Sequence, residues 1–336
     1  MKSFFQRLLP PENREAASWY QDAALPRALP TRTCVTTISV ILYCVTVGIF
    51  LFLKTQEAAS AGLDSVEVES TLRANFGYRN LDEIWNGKWW GLFSAASQHF
   101  GFIHLAFNML WLYRLGTAIE RAFGSLACLG LILGAAFVSS GFQMAVTVNP
   151  LTASAGMSGV VYAMAGFLWT GWRREPGVVD FFNASTARFF LGWQVLCFLL
   201  TWSNIMPIAN TAHLSGLAFG LALGALVGFK GYKRLIGANL ATLMIFAVVA
   251  MLKFGAPWSP VWHAHMAYRA HVNFRLDEAA IHYQWLNENA PRQVPYLSEN
   301  VRALLMHKMM KDQLDSRELR ELYPVRNPFI PRRRIP

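Results

Sequence analysis

Ser158 stands in Ala155-Gly156-Met157-Ser158-Gly159 at the mouth of one apolar stretch, and His213 opens another after a single intervening apolar segment. A hydroxyl becomes an effective nucleophile when a base within about 2.6 to 3.2 Å takes its proton. The pair points to acyl transfer, and its apolar setting to peptide-bond hydrolysis inside a bilayer, where polar groups are costly and mark functional sites by default. His104 and Asn108 lie four residues apart, so on a helix a ring and an amide share one face. With the backbone N–H of Ser158 they could hold the oxyanion of a tetrahedral intermediate. The structural reading, in which each bonds a neighbouring helix, stands equally open. Tyr162 follows Ser158 by one helical turn; its ring could support the imidazole of His213 or simply fill helix packing.

These side chains need helices to hold them. With 54% apolar and only 15% charged residues over 336 positions, the chain is too apolar for a soluble domain of its length. The expected fold is an all-α polytopic membrane protein. Mostly apolar stretches near the length that crosses hydrocarbon run over 35–53, 102–119, 126–148, 157–172, 189–205, 213–229 and 238–254. They divide the chain into an N-terminal cytoplasmic segment (1–34), a six-span core (35–229) with a long outer loop (55–98), a seventh span (237–254) and a small helical tail (255–336). Gly216, Gly220 and Gly224 recur every fourth residue after His213, and Gly159, Ala163 and Gly166 nearly so after Ser158. Small residues so spaced let helix backbones approach closely, as a catalytic pair shared between two helices requires.

Lys and Arg alternate between connections, which sets orientation. They gather in the N-terminal segment (Lys2, Arg7, Arg14, Arg27, Arg32), near the second span's end (Arg114, Arg121), after the fourth (Arg173, Arg174, Arg188) and after the sixth (Lys230, Lys233, Arg234). The connections 149–155 and 204–212 contain neither residue, and the loop 55–98 is acidic on balance. The N-terminus is therefore expected in the cytoplasm, with Ser158 and His213 starting helices that enter from the outer face. Seven spans put the tail outside, although residues 253–336 carry 13 of the 30 basic residues; long segments translocate with little regard to charge. Residues 1–33 are too polar for a secretory signal and hold Glu12, Glu15 and Asp22, unlike a transit peptide, so a bacterial inner membrane is the expected location. The net charge of +10 accompanies no nucleic-acid module, and Arg332-Arg333-Arg334 reads as a solvated or lipid-touching end. Cys34, Cys44, Cys128 and Cys197 show no C-x-x-C spacing, and no disulfide is expected.

The H-x(4)-H-x(3)-N run at His99, His104 and Asn108, the G-x-S-G at Gly156 to Gly159 with Tyr162 following, and the A-H-x-x-G-x-x-x-G at Ala212 to Gly220 resemble the motifs of the rhomboid intramembrane serine proteases, in family order. The resemblance covers about 35–229. It implies a dyad without a third acid, Ser158 as nucleophile and His213 as general base. His104, Asn108 and the Ser158 amide would form the oxyanion hole, supported by His99, Gly156, Gly159, Tyr162 and Gly216. It implies membrane-protein substrates cut in or near transmembrane segments at the outer face, with a preference for small residues and unstable helices, and neither cofactor nor ATP. Family members often carry Trp-Arg in the first long loop. Here the stretch reads Trp89-Trp90-Gly91-Leu92-Phe93, without the arginine, which bears on loop stability or membrane docking and not on the chemistry. Trp85, Trp89, Trp90, Phe93 and Phe100 suit a loop lying half-submerged beside the core.

In the tail, 276–291 resembles the second helix of a tetratricopeptide-type hairpin with 268–275 as its first, an appendage offering a surface for a protein partner. Residues 299–311 continue as an amphipathic helix. His263, His265 and His271 lack a completing Cys or carboxylate at ligand spacing, so they read as interfacial histidines and no metal is expected. The rival from another class is a proteolytically inactive relative that binds transmembrane clients, against which the retention of Ser158, His213, His104 and Asn108 counts. No H-E-x-x-H supports a zinc protease, and no duplicated halves support a transporter.

Overall fold

The computed structural model describes residues 29–148, 155–171, 174 and 176–330. The expectations placed on Lys2, Arg7, Arg14 and Arg27, on the connection 149–154, on Arg173 and on Arg332 to Arg334 lie outside the described residues. A helix sits on each of the seven apolar stretches: α1 (Val35–Ser60), then, after the loop helix α2 (Ser65–Asn75), α3 (Phe102–Phe123), α4 (Ser125–Val146), α5 (Ser158–Gly171), α6 (Ala184–Trp202), α7 (Asn210–Gly228) and α8 (Tyr232–Phe254). The tail adds α9 (Pro260–Val272), α10 (Leu276–Asn289), α11 (Leu297–Met310) and α12 (Ser316–Leu322). No strand occurs among the described residues. Five helices, α1, α4, α6, α7 and α8, are long and apolar enough to cross a membrane. Helix α5 has 14 residues, a rise of only about 21 Å, so its helical part alone covers about two thirds of a hydrocarbon layer roughly 30 Å thick.

The chain divides into two compact units, the first Met1–Tyr78, Trp90–Gln143 and Ser154–Val249, the second Arg79–Trp89, Met144–Ala153 and Ala250–Pro336. In the first, α5 and α7 touch along their backbones. A Cβ at Gly216 would collide with the carbonyl oxygen of Gly159, one at Gly220 with that of Ala163, and one at Gly224 with that of Phe167. A side chain on any of these three turns would force the helices apart. The same unit is pinned by one buried carboxylate: Glu120 of α3 accepts from the Thr36 and Thr37 amides (2.8 Å each), the Thr37 hydroxyl and the Ser125 hydroxyl (2.7 Å each). Thr36 and Thr37 are in the first turn of α1 and Ser125 opens α4. The carboxylate thus satisfies amides that α1 leaves without intrahelical partners and complements its positive end.

The second unit joins the helical tail to the loop segment 79–89 and the segment that begins at Met144. Helix α9 begins at Pro260, earlier than the expected 268–275, because the Ser259 hydroxyl accepts from the Trp262 amide and proline suits the first helical position. Helices α9 and α10 form the hairpin, and α11 matches the expected amphipathic helix to within two residues. Helix α12 starts at a reciprocal capping box of Asp315 and Glu318. His263, His265 and His271 are buried in this unit, a departure from the interfacial expectation. His265 Nδ1 lies 2.8 Å from the Asp82 carboxylate and its ring 5.7 Å from Trp85, so the loop segment and the tail share one core. The loop's aromatic set accordingly splits: Trp85 belongs to the second unit, while Phe93 stacks on Phe137 of α4 in the first.

Candidate active site

Gly101 begins the arrangement. At φ +97° it takes a conformation that a side chain would strain, and the chain turns there from the loop into α3. One turn inside α3, the ring of His104 meets that of His99 edge to face at 5.1 Å. Asn108 is buried, with its amide nitrogen donating to the His104 carbonyl oxygen at 2.9 Å. The amide is thus turned back along its own helix toward the carbonyl one turn earlier.

The short segment before α5 is hung on the loop's end by two hydrogen bonds. The Gly156 N–H donates to the Ala95 carbonyl at 3.0 Å, and the Met157 N–H donates to His99 Nε2 at 3.3 Å. His99 Nδ1 faces the Ser97 carbonyl at 3.2 Å. A carbonyl can only accept, so Nδ1 carries the proton and Nε2 is free to receive the Met157 amide. Gly156 has φ +118°, and a Cβ there would lie 2.7 Å from His104 Cε1. Only glycine brings the backbone this close to the His104 ring. Gly159 is equally confined, its absent Cβ directed at the Ser139 hydroxyl.

Ser158 Oγ lies 2.9 Å from His213 Nε2. The two residues sit in the first turns of α5 and α7, brought together by the seam that runs from Gly159 and Gly216 downward. The His213 ring stacks on Tyr162 with centroids 4.6 Å apart and planes 13° from parallel. The Tyr162 hydroxyl donates to the Phe190 carbonyl of α6 at 3.3 Å. His213 Nδ1 is buried and makes no hydrogen bond to a protein group among the described residues. If Nε2 accepts the serine proton, the resident proton is on Nδ1, and the ring is held by its face through Tyr162 instead of by a carboxylate at its edge.

All nine site residues named from the sequence, Ser158, His213, His104, Asn108, His99, Gly156, Gly159, Tyr162 and Gly216, fall within this one region of the first unit. Sequence reasoning missed Gln143, whose side-chain oxygen accepts from the Ala212 amide at 3.2 Å beside His213. It also missed Gln194 and Asn210, joined at 2.8 Å, with Asn210 donating to Thr201 at 2.9 Å. An amide side chain inside an apolar span was the available signal for Gln143 and Gln194.

Residues 86–230 match the family model described as Rhomboid domain. Over 147 residues the chain is 36% identical to proteins named Rhomboid protease GlpG from two Klebsiella pneumoniae strains, an alignment covering 43% of this chain and 51% of each relative. The chain thus spans about half the length of the curated relatives it matches.

Proposed function

We propose that the chain is a rhomboid-type intramembrane serine endopeptidase cutting membrane proteins in or near their transmembrane segments, a reading supported by the match of residues 86–230 to the Rhomboid domain model and by the 36% identity to the GlpG proteases. The observation that carries the reading is the 2.9 Å approach of Ser158 Oγ to His213 Nε2. His213 takes the serine proton as Oγ attacks the carbonyl carbon, then returns it to the leaving amine. Water, activated by the same imidazole, hydrolyses the acyl-enzyme. The Ser158 amide, His104 and Asn108 form the oxyanion hole. For Asn108 this requires the amide to turn from the His104 carbonyl it now bonds toward the developing charge. Tyr162 keeps the imidazole plane aligned, and Gly156, Gly159 and Gly216 permit the backbone approaches.

Six helices, α1 and α3 to α7, form the catalytic core and α8 is a seventh span, with the N-terminus in the cytoplasm of a bacterial cell and the site opening outward. The pairing of Asp82 with His265 supports the number of spans, because it requires segment 79–89 and the tail to share one side of the membrane. An even number of crossings, α3 to α8, separates them. A proteolytically inactive client-binder finds no specific support in the site.

The test is labelling by a fluorophosphonate serine probe in detergent, with Ser158→Ala and His213→Ala alongside. Wild-type labelling lost in both variants is expected. Folded wild type that stays unlabelled in detergent and in liposomes overturns the protease reading. Asn108→Ala should lower turnover by a smaller factor, about 100-fold, as for one oxyanion donor among several.

A further inference from the structure

Arg73 of α2 is 6% exposed, a rare state for an arginine on a short loop helix. Its guanidinium is engaged through all three nitrogens. Nε and Nη2 both donate to the Glu69 carboxylate (2.8 and 2.6 Å), Nη1 donates to the fully buried Gln98 side chain at 3.2 Å, and Nη2 also donates to the His99 carbonyl at 3.1 Å. The ring of Phe100 lies 4.3 Å from the guanidinium carbon, within cation–π range. Three consecutive residues, Gln98, His99 and Phe100, therefore lean on one side chain from a helix more than twenty positions earlier.

Those three residues form the turn whose neighbours carry the nucleophile's segment. His99 presents Nε2 to the Met157 amide, and Ala95, three residues before Gln98, presents its carbonyl to Gly156. We propose that Arg73 is a positioning residue for Ser158: by fixing the Gln98–Phe100 turn it sets the His99 ring that holds the Met157 amide, one peptide unit from the nucleophile. The inference rests on the protease reading for its catalytic consequence, while its structural content stands on the hydrogen bonds alone. Arginine suits the task because its planar fork reaches Gln98, His99 and Glu69 together. A lysine ammonium is a single point and cannot hold all three at these angles.

The experiment uses the full-length protein in detergent with Arg73→Gln, Arg73→Lys and wild type. Two readouts are taken: amide hydrogen exchange of the peptide containing Gly156 and Met157, and the split of fluorophosphonate inactivation into kinact and KI. Arg73→Gln should raise exchange in that peptide by about tenfold or more, the opening expected when a fixed turn loosens. It should lower kinact by about 10- to 100-fold with KI little changed, as misplacing a reacting group by about an ångström does. Arg73→Lys should fall between. If Arg73→Gln does not fold, the lysine variant with a native unfolding midpoint decides; wild-type exchange and wild-type kinact in it overturn the proposal. So does a loss of labelling in either variant that only follows the unfolded fraction. Were wild type itself unlabelled, the protease reading would fail, yet the exchange readout would still decide whether Arg73 holds the Ser158 segment.

Discussion

Tyr162 meets His213 through two separable features, a ring face and a hydroxyl. Tyr162→Phe keeps the stack at 4.6 Å and loses only the bond to the Phe190 carbonyl, a contribution of about 0.5 to 1.5 kcal/mol. Probe labelling should fall less than about tenfold. Tyr162→Ala removes the face on which the imidazole rests, and a much larger loss is expected; equal losses in the two variants would show that the hydroxyl, not the ring, is what matters. Glu120→Gln retains volume but replaces a carboxylate acceptor of four hydrogen bonds with an amide that must turn its NH2 toward some of those donors. The unfolding free energy should drop by about 1 to 3 kcal/mol, read from denaturant titration. Legibility at this scale followed chemistry: Ser, His and Asn in apolar stretches are conspicuous because they are costly there. Arg73 was not legible. A Glu–Arg pair at i, i+4 is the common pattern of a solvated helix face, and only the fold reveals that the guanidinium faces inward toward His99. The missing arginine at Gly91 was visible in the sequence, but not that another segment places a cation in the loop.

The seam between α5 and α7 makes glycine at 220 a packing requirement. A methyl there meets the Ala163 carbonyl, and overpacking of this kind costs typically about 1 to 3 kcal/mol. Gly220→Ala should lower the thermal midpoint, whereas Gly192→Ala, where a Cβ has no neighbour within 4 Å, should leave it unchanged or slightly raised. A midpoint for Gly220→Ala equal to that of Gly192→Ala would refute the seam. The fourfold glycine spacing announced this contact in the sequence. The tail was harder to read: its first helix starts at the Ser259 cap and Pro260, whereas the resemblance to a tetratricopeptide-type hairpin suggests 268.

The tail's histidines form directed chains. His307 Nε2 must donate to the Leu319 carbonyl at 3.0 Å, so its Nδ1 accepts from His271 Nε2 at 3.0 Å, and His271 Nδ1 accepts from the Tyr283 hydroxyl at 3.2 Å. Every ring nitrogen is satisfied with both rings neutral. Burial, and then the neighbouring imidazoles, push His271 and His282 down from 6.5 to about 4. The unfolded chain takes up these protons first, so the contribution to stability is complete above about pH 6.5 and declines as pH falls toward 4. Hydrogen exchange of α10 should accelerate across that window, and exchange free energies that stay flat between pH 7 and 4.5 would rule the chains out.

At the scale of the molecule, the proposed topology of seven crossings fixes the side of the tail by their parity. A reporter fused after Pro336 should signal from outside the cytoplasm; a cytoplasmic signal would defeat the seven-span topology. Composition and apolar lengths were enough to expect an all-helical membrane chain. They could not reveal that the loop segment 79–89 packs with the tail, because contacts between residues so far apart leave no local pattern. That packing gives biogenesis a timetable. Asp82 and His265 are 183 residues apart, so at roughly 5 to 20 residues per second the loop leaves the ribosome about 10 to 40 seconds before its partner exists. Through that interval Leu81 and Trp85 await a core still being synthesised, and an arrested chain ending before α9 should be open to protease at this segment until translation resumes.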